Sequence, residues 1–276
     1  MSRFLSCRRV SDTSFRHQVP QEHPLNTHES VLPRLNGFSA VLFDLDGVLT
    51  PTAELHRYAW QSMFTEVFAE KGVTSPYTDD DYFEYLDGKR RYDGVQSMLA
   101  SRGIVLPLGL PADPPTADTV AGIGNRKNDY FARALEERGI RPYPGSQVLV
   151  DELFEQRMPM GVVSSSNNAR WVLTSAGLIE RFPVIVDGVV AAREGLASKP
   201  APDMFLFAAA QMNLQPAQVV VFEDAISGVA SARAGHFGLV VGVDRGAGRD
   251  ALLQAGADVV IDDLEAYTSE ASDPQR

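Results

Sequence analysis

The apolar positions of the chain form short continuous runs separated by stretches with helical spacing. Residues 39–43 form a largely apolar run that ends abruptly at the polar sequence Asp-Leu-Asp-Gly of residues 44–47. A buried parallel strand is typically continuous and apolar in this way, with its polar residues at the carboxyl end. Similar runs follow at residues 160–163, 184–186, 219–222, 239–243 and 259–261.

Between these runs, apolar residues recur at the spacing of an amphipathic helix. Residues 148–154, 203–212 and 225–234 have this character. Strands that alternate with helices in this way predict an α/β protein with a doubly wound parallel sheet.

The stretch 53–139 interrupts this alternation. Leu55, Ala59, Met63 and Val67 recur on one helical face, and no strand-like run follows them in this stretch. The sequence therefore predicts a helical cap inserted after the first strand, with a loop rich in Pro, Gly and Asp near residues 105–120. The predicted organisation begins with a flexible tail at residues 1–36 and ends with a second tail at residues 268–276. The sheet domain consists of residues 37–52 and 140–267, and the cap consists of residues 53–139.

An excess of acidic residues narrows the range of partners. The chain has 25 Lys and Arg against 36 Asp and Glu, and its net charge of -11 argues against broad binding to nucleic acid or to an anionic membrane. A small anionic substrate is compatible with this charge, because a metal ion and a few converging cations can set the local potential.

The sequence also bears on the compartment. Cys7 is the only cysteine, which excludes a disulfide within the chain and fits a reducing compartment. The N-terminal segment is polar and lacks the apolar stretch of a signal peptide, and no later run is long enough to span a bilayer. We therefore expect a soluble cytoplasmic protein, monomeric or weakly homo-oligomeric.

Polar side chains follow four of the predicted strands. Asp44 and Asp46 follow the first strand and Ser164 the second, Lys199 comes after the third, and Glu223 with Asp224 ends the fourth. Ligands of an open parallel sheet bind beyond the carboxyl ends of its strands, so these side chains are expected to meet at one place.

Each residue type has a chemical reason to be there. The Asp44 carboxylate can attack phosphorus and form an aspartyl phosphate. Mg²⁺ would offset the negative charge, held by Asp44, Asp224, Glu223 and the backbone carbonyl of Asp46. Lys199 would neutralise the transferring phosphoryl group, and Asp46 would serve as general acid and base.

A further group of donors is predicted after the second strand. Ser164 and the amides of Ser165, Ser166, Asn167 and Asn168 are expected to open a helix, where exposed N–H groups bind phosphate oxygens. Taken alone, this motif is as typical of a helix cap, and an Asp-x-Asp pair of a turn. The combination in this order, each motif at a strand end, indicates an active site.

The motifs resemble a known family. Residues 44–50 (Asp-Leu-Asp-Gly-Val-Leu-Thr), Ser164, Lys199 and the pair Glu223 and Asp224 are similar to the four signatures of the haloacid dehalogenase superfamily. Their surroundings resemble its β-phosphoglucomutase subgroup, and the resemblance extends from about residue 40 to about residue 261. It implies a Rossmann-like core with a helical cap, Mg²⁺ as cofactor, and the roles given above.

The cap carries its own part of the resemblance. Thr52, His56 and Trp60 lie four residues apart on one predicted helical face and are similar to the Thr, His and Trp of the mutase pattern. The resemblance implies that His56 couples cap closure to the acid/base function of Asp46. A structural role in the helix is the alternative for His56 and Trp60.

Two further cap segments resemble substrate-binding elements of the subgroup. Gly88 and Arg91 are similar to the cap loop that recognises the distal phosphate, and Lys127 to a cap lysine that reaches the substrate. Two positions depart from the mutase pattern: Asp87 is acidic where the pattern has Lys, and Pro51 replaces an acidic residue.

The resemblance implies a mutase that converts β-glucose 1-phosphate to glucose 6-phosphate, with glucose 1,6-bisphosphate as intermediate and activator. A phosphatase that hydrolyses a sugar phosphate or another small phosphomonoester is the alternative, because water could attack the same aspartyl phosphate. An inactive sensor of sugar phosphates is a third possibility, but its expected mark, loss of Asp44, Asp46 or a metal carboxylate, is absent.

Overall fold

A six-stranded parallel sheet organises the computed structural model, which describes residues 32–269. The strands are β1 (Ala40–Phe43), β2 (Met160–Val163), β3 (Val184–Val186), β4 (Val219–Glu223), β5 (Leu239–Val243) and β6 (Val259–Ile261). Their order across the sheet is β3-β2-β1-β4-β5-β6, and all neighbouring pairs are parallel. The predicted doubly wound α/β fold is confirmed.

Strand β1 lies between β2 and β4, where the strand order reverses direction. Phe43 pairs with Val162 of β2 and with Phe222 of β4, so the residues that follow these strands leave the sheet at one edge. This reversal is the position at which doubly wound sheets bind their ligands.

The side chains of β1 alternate between two hydrophobic clusters. Val41 and Phe43 belong to the cluster on one face of the sheet, and Ala40 and Leu42 belong to the cluster on the other. Successive side chains of a strand point to opposite faces, so a strand that is buried on both faces has no polar position. This is why the run reads as continuously apolar.

Helices join the strands and fill the segment between β1 and β2. They are α1 (Thr52–Glu70), α2 (Asp79–Asp81), α3 (Arg91–Ser101), α4 (Val120–Arg138), α5 (Pro144–Glu155), α6 (Ala169–Ser175), α7 (Gly188–Glu194), α8 (Asp203–Gln211), α9 (Ile226–Ala234) and α10 (Arg249–Ala255). A π-helical turn, Tyr82–Leu86, follows α2.

Residues 53–139, called the cap below, are all described and contain no strand. Their helices pack around a separate hydrophobic cluster that includes Trp60, Phe64, Leu86 and Val95. Residues 105–119, between α3 and α4, have no regular secondary structure, as the sequence predicts.

The chain leaves the sheet domain for the cap and returns to it at one place. The Tyr143 N–H donates to the Leu49 carbonyl at 3.0 Å, and the Ser146 hydroxyl donates to the Val48 carbonyl at 2.7 Å. The two connections between the cap and the sheet domain are therefore side by side.

The described ends of the chain differ from the predicted tails. Leu32 and Leu35 pack against the hydrophobic cluster that contains Val41, and Thr268 is buried. Residues 1–31 and 270–276, the rest of both predicted tails, lie outside the described residues. Within residues 32–269, none of the helices combines the length and the apolar character needed to cross a membrane.

Candidate active site

Lys199 lies between two carboxylates at the carboxyl ends of β1 and β4. Its Nζ is 2.6 Å from Asp44 Oδ1 and 2.5 Å from Glu223 Oε1. The Ala225 N–H donates to Glu223 Oε2 at 2.7 Å, so both oxygens of Glu223 accept hydrogen bonds. Burial alone would lower the pKa of Lys199, but Asp44 and Glu223 raise it above its usual value. The ammonium therefore stays charged beside Asp44.

Asp44 is held through both of its oxygens. Lys199 donates to Oδ1, and the Asp46 N–H donates to Oδ2 at 2.9 Å. Burial, assisted by the negative charge of Glu223, outweighs Lys199 and raises the pKa of Asp44 to about 8. Additional positive charge at this position would favour the ionised form that a nucleophile requires.

Asp46 accepts hydrogen bonds from two hydroxyls and lies beside an imidazole. Thr52 Oγ1 is 2.5 Å and His56 Nε2 is 3.3 Å from its Oδ1, and Ser164 Oγ is 3.2 Å from its Oδ2. Burial alone would raise the pKa of Asp46, but His56 and Thr52 lower it to about 2. Asp46 is therefore ionised near neutral pH in this arrangement, which is the form of a general base.

His56 connects Asp46 to the cap. Its Nδ1 is 2.5 Å from Lys127 Nζ, and its ring stacks on Phe131 with centroids 4.1 Å apart. The Lys127 ammonium lies 5.0 Å from the centre of the Trp60 ring. Burial, and then the charge of Lys127, lowers the pKa of His56, and burial, then Arg91, lowers the pKa of Lys127. Side chains of α1 and α4 thus form a continuous contact chain to Asp46.

Arg91 begins α3 and contacts two asparagines of α4. Its guanidinium donates to Asn128 Oδ1 at 2.8 Å and to Asn125 Oδ1 at 3.5 Å. Asn168, from the sheet domain, donates to the same Asn128 Oδ1 at 2.8 Å. Asn128 therefore links Arg91 in the cap to the loop that follows β2.

Four hydrogen bonds hold residues 87–90 of the cap against the sheet domain. They join the Gly88 carbonyl to Ser165, the Asp87 carbonyl to Ser227, and Arg90 to Ser198 and Leu196, at 2.7 to 3.0 Å. Gly88 has a φ of +70°, and a Cβ there would lie 2.0 Å from Ser227 Oγ. The positive φ and this close approach of the cap to the sheet domain both favour glycine at position 88.

A cavity lies between the cap and the strand ends. The predicted site residues that line it are Asp44, Asp46, His56, Trp60, Gly88, Arg91, Lys127, Ser164, Ser165, Ser166, Glu223 and Asp224. The structure thus brings together groups from both parts of the predicted sheet domain and from the cap.

Three predicted site residues lie behind this lining. Lys199 is buried under Asp44, and Thr52 is buried with its hydroxyl bound to Asp46. Asn168 is engaged with Asn128. Direct contact with the substrate was predicted for Thr52 and Asn168. In this structure, both side chains instead bind and position other residues of the site.

The turn at residues 165–168 also differs from the prediction. Helix α6 begins only at Ala169, and the amides of Ser166 and Asn168 donate to the Ser164 and Ser166 hydroxyl oxygens at 3.1 Å. Short hydroxyl side chains compete for nearby backbone N–H groups. The prediction that these two amides are free for phosphate is therefore wrong in this arrangement.

Known proteins are similar to this chain in both sequence and fold. The sequence model of the haloacid dehalogenase-like hydrolase family matches residues 38–236 of the chain. The chain is 47% identical over 235 residues to a beta-phosphoglucomutase of Mycobacterium bovis, with 82% of this chain and 89% of that protein covered. The chain belongs to the haloacid dehalogenase-like hydrolase family. The predicted resemblance is confirmed, and the protein is an enzyme of the phosphoryl-transfer type.

Two further similarities show the range of this family. The chain is 30% identical to the validoxylamine A 7'-phosphate phosphatase of Streptomyces hygroscopicus subsp. limoneus, over 82% of this chain and 94% of that one. The crystal structure of a beta-phosphoglucomutase from Clostridium difficile superposes with a TM-score of 0.67 at 25% identity, covering 85% of this chain and 95% of that chain. Mutases and phosphatases are thus both among its relatives.

The haloacid dehalogenase resemblance implies a metal ion, and the donor set of this site suits Mg²⁺. Asp224 lines the cavity, and no Lys, Arg or His nitrogen in residues 32–269 lies within 4.0 Å of its carboxylate. Burial, and then the charges of Glu223, Asp44 and Asp87, raises the pKa of Asp224 well above its usual value. Such excess negative charge favours a bound cation.

In residues 32–269, no three acidic, imidazole or thiol side chains converge to hold an ion by themselves. Mg²⁺ is usually bound through one or two carboxylates together with substrate oxygens and water. We expect Asp44, Asp224 and the Asp46 carbonyl to supply these protein oxygens, because Glu223 is engaged with Lys199 and Ala225.

Sequence reasoning missed Asn128, which joins Arg91 to Asn168. Its only sequence signal is its place beside Lys127 in a run of polar residues on α4, and such a run is more often a solvated helix face. The partner from the sheet domain, Asn168, lies 40 residues away along the chain.

Gly228 in α9 offers a test of the buried cluster around Lys199. A Cβ at Gly228 would lie 1.7 Å from Glu223 Oε1. We expect Gly228→Ala to displace the Glu223 carboxylate from Lys199 and Ala225, lowering the free energy of unfolding by about 1–3 kcal/mol and reducing turnover. Urea unfolding and steady-state kinetics measure both effects.

Gly37→Ala is the matched control, because a Cβ at Gly37 would meet nothing within 4 Å. Equal unfolding free energy and turnover in Gly228→Ala and the wild type would contradict the structural role of Glu223.

Proposed function

We propose that this enzyme is a phosphomutase that converts β-glucose 1-phosphate to glucose 6-phosphate through glucose 1,6-bisphosphate. The observation that carries the proposal is that Arg91 lines the same cavity as Asp44 and Asp46. A bisphosphate needs one phosphoryl position at the nucleophile and a second cationic group to hold the other phosphate. The similarity to proteins named beta-phosphoglucomutase supports the same choice of substrate.

In the proposed reaction, Asp44 exchanges a phosphoryl group with the sugar. In one transfer, Asp46 takes the proton of an attacking sugar hydroxyl, whose oxygen bonds to phosphorus as the bond from phosphorus to Asp44 breaks. In the other transfer, a carboxylate oxygen of Asp44 bonds to the phosphorus of the second phosphate, the bond from that phosphorus to the sugar oxygen breaks, and Asp46 returns its proton to that oxygen. The hydrogen bonds from Thr52 and Ser164 hold Asp46 in place for both transfers.

The other residues around Asp44 supply charge and exclude water. Lys199 donates to Asp44 and would neutralise charge on the phosphoryl group. Mg²⁺, held by Asp44, Asp224 and the Asp46 carbonyl, supplies further positive charge when bound. The closed cap limits access of water to the aspartyl phosphate, which a mutase requires in order to favour transfer to a sugar hydroxyl.

A phosphatase acting on a sugar phosphate or another small phosphomonoester is the second candidate. The acidic side chain of Asp87 lines the cavity where the mutase pattern has a lysine, and a relative of 30% identity is named as a phosphatase. In that enzyme, water would take the place of the sugar hydroxyl.

One experiment separates the two candidates. The enzyme is supplied with β-glucose 1-phosphate, a trace of glucose 1,6-bisphosphate and Mg²⁺, and glucose 6-phosphate and free phosphate are measured together. A mutase forms glucose 6-phosphate with little phosphate. Phosphate without glucose 6-phosphate would contradict the mutase proposal and support the phosphatase.

The metal ligands give a second prediction. Asp224→Ala should raise the Mg²⁺ concentration for half-maximal activity more than Glu223→Ala does, because Glu223 is engaged with Lys199 and Ala225. Glu223→Ala should instead lower turnover at saturating Mg²⁺. Magnesium titrations of activity in both variants measure this difference, and a larger shift in Glu223→Ala would reverse the assignment.

A further inference from the structure

The carboxylate of Asp87, in the cap, lies beside the acidic groups of the sheet domain. Its side chain lines the same cavity as Asp44, Glu223 and Asp224, and it also borders a smaller cavity that contains Asp224 and Arg245. Asp87 therefore faces the predicted metal ligands across the boundary between cap and sheet domain.

The backbone fixes Asp87 in this position. The Ser227 hydroxyl donates to the Asp87 carbonyl at 3.0 Å, and the Ser165 hydroxyl donates to the carbonyl of Gly88 at 2.7 Å. Ser227 lies in the first turn of α9, three residues after Asp224, so the segment that carries the predicted metal ligand also holds Asp87.

Cap closure brings Asp87 into a region where negative charge is in excess. Five carboxylates line this cavity, against the cations of Lys89, Arg91 and Lys127, and the ammonium of Lys199 is already shared by two of the carboxylates. The carboxylates are those of Asp44, Asp46, Asp87, Glu223 and Asp224. Within residues 32–269, neither Asp87 nor Asp224 has a Lys, Arg or His nitrogen within 4.0 Å. The guanidinium of Arg57 instead lies over the Tyr82 ring, 5.2 Å from its centre.

This crowding has a physical consequence. Carboxylates held close together in a buried site repel one another, so the closed cap is unfavourable to them without more positive charge nearby. A divalent cation at the predicted ligands would remove that cost. Mg²⁺ retains several water ligands in proteins, and carboxylates around such a site accept hydrogen bonds from its ligand shell.

We propose that Asp87 is the contribution of the cap to the metal centre, a carboxylate that interacts with the ligand shell of the divalent cation only when the cap is closed. Cation binding and cap closure then stabilise each other, because any interaction made in one state alone couples the two equilibria. Asp87 is a positioning residue for the ion rather than a catalytic residue. The inference rests on the Mg²⁺ site of the proposed function.

Binding of Mg²⁺ to the full-length protein without substrate tests this inference. Isothermal titration calorimetry near neutral pH should show that Asp87→Asn weakens Mg²⁺ binding by about tenfold or more, the usual cost of losing a group around the ligand shell. The amide retains the shape of the side chain and removes its charge. Asp80→Asn, which removes an exposed carboxylate of the cap, is the matched control and should bind Mg²⁺ as the wild type does.

Hydrogen exchange at the Arg90 amide reports cap closure separately. This amide donates to Ser198 Oγ at 3.0 Å across the boundary, so it is protected only when the cap is closed. Mg²⁺ should slow its exchange in the wild type and should have little effect in Asp87→Asn. In Asp87→Lys, exchange should already be slow in chelator, because an ammonium at this position would pair with the carboxylates of the sheet domain.

The outcomes distinguish this inference from the proposed function. Wild-type Mg²⁺ affinity in Asp87→Asn, or an unchanged response of the Arg90 amide to Mg²⁺, overturns the role of Asp87 and leaves the mutase proposal intact. Absence of Mg²⁺ binding to the wild type overturns the metal site and this inference together.

Discussion

Asp44→Asn is expected to abolish turnover while the protein remains folded. The amide is nearly the same size as the carboxylate but is a poor nucleophile, so the aspartyl phosphate cannot form. We expect kcat to fall at least about a thousandfold, which corresponds to about 4 kcal/mol in the activation free energy. Steady-state kinetics measures the loss, and circular dichroism with thermal unfolding checks the fold.

Two further measurements sharpen this prediction. Mass spectrometry of the wild type, quenched during turnover with glucose 1,6-bisphosphate, should find a phosphoryl group on the peptide that contains Asp44. Beryllium fluoride, which imitates a phosphoryl group on a carboxylate, should inhibit the wild type. Asp250→Asn, an exposed aspartate at the start of α10, is the matched control and should leave turnover unchanged. Substantial turnover by purified Asp44→Asn would show that Asp44 is not the nucleophile.

Arg91→Ala is expected to separate isomerisation from hydrolysis. A mutase must hold one phosphate at Asp44 and the other in the cap, and guanidinium binds phosphate through two parallel hydrogen bonds while remaining charged. Lost charge-assisted hydrogen bonds are worth about 1.5–3 kcal/mol, so isomerisation should slow by about one to two decades. Slow hydrolysis of the aspartyl phosphate by water should continue, so the share of free phosphate rises.

The measurement is the ratio of glucose 6-phosphate to free phosphate, with and without the substitution. Arg133→Ala is the matched control, because Arg133 is an exposed arginine of α4 that contacts the Tyr130 ring rather than the cavity. A phosphatase for small monophosphates has no distal phosphate to hold. Release of phosphate by Arg91→Ala at the wild-type rate, with no glucose 6-phosphate from either protein, would therefore favour the phosphatase.

The strand ends of the sheet domain could be predicted because burial leaves a strong pattern in the sequence. β1 is buried on both faces, so its residues are continuously apolar, and the change to Asp44 marks the end of the strand. Parallel pairing then brings the ends of β1, β2 and β4 to one edge. The contact between Lys199 and Asp44 follows from topology even though the two residues are 155 positions apart.

The contacts between cap and sheet domain could not be predicted in the same way. The hydrogen bonds of Gly88 with Ser165 and of Asn128 with Asn168 join single polar residues in distant parts of the chain. Such contacts have no periodicity, and an isolated serine or asparagine is equally compatible with a turn or a solvated surface. The same reason explains the turn before α6, where the serine hydroxyls bind neighbouring amides.

The adjacent connections of the cap have an evolutionary consequence. Because the Tyr143 amide donates to the Leu49 carbonyl, the chain departs from the sheet domain and returns at a single point. An insertion whose ends meet in this way can be lengthened, shortened or exchanged without altering the strand order of its host. A lineage can therefore keep one set of phosphoryl-transfer residues and acquire new substrates by exchanging the inserted module. A protein engineer can use the same junction, between residues 49 and 143, to graft a different cap onto this sheet.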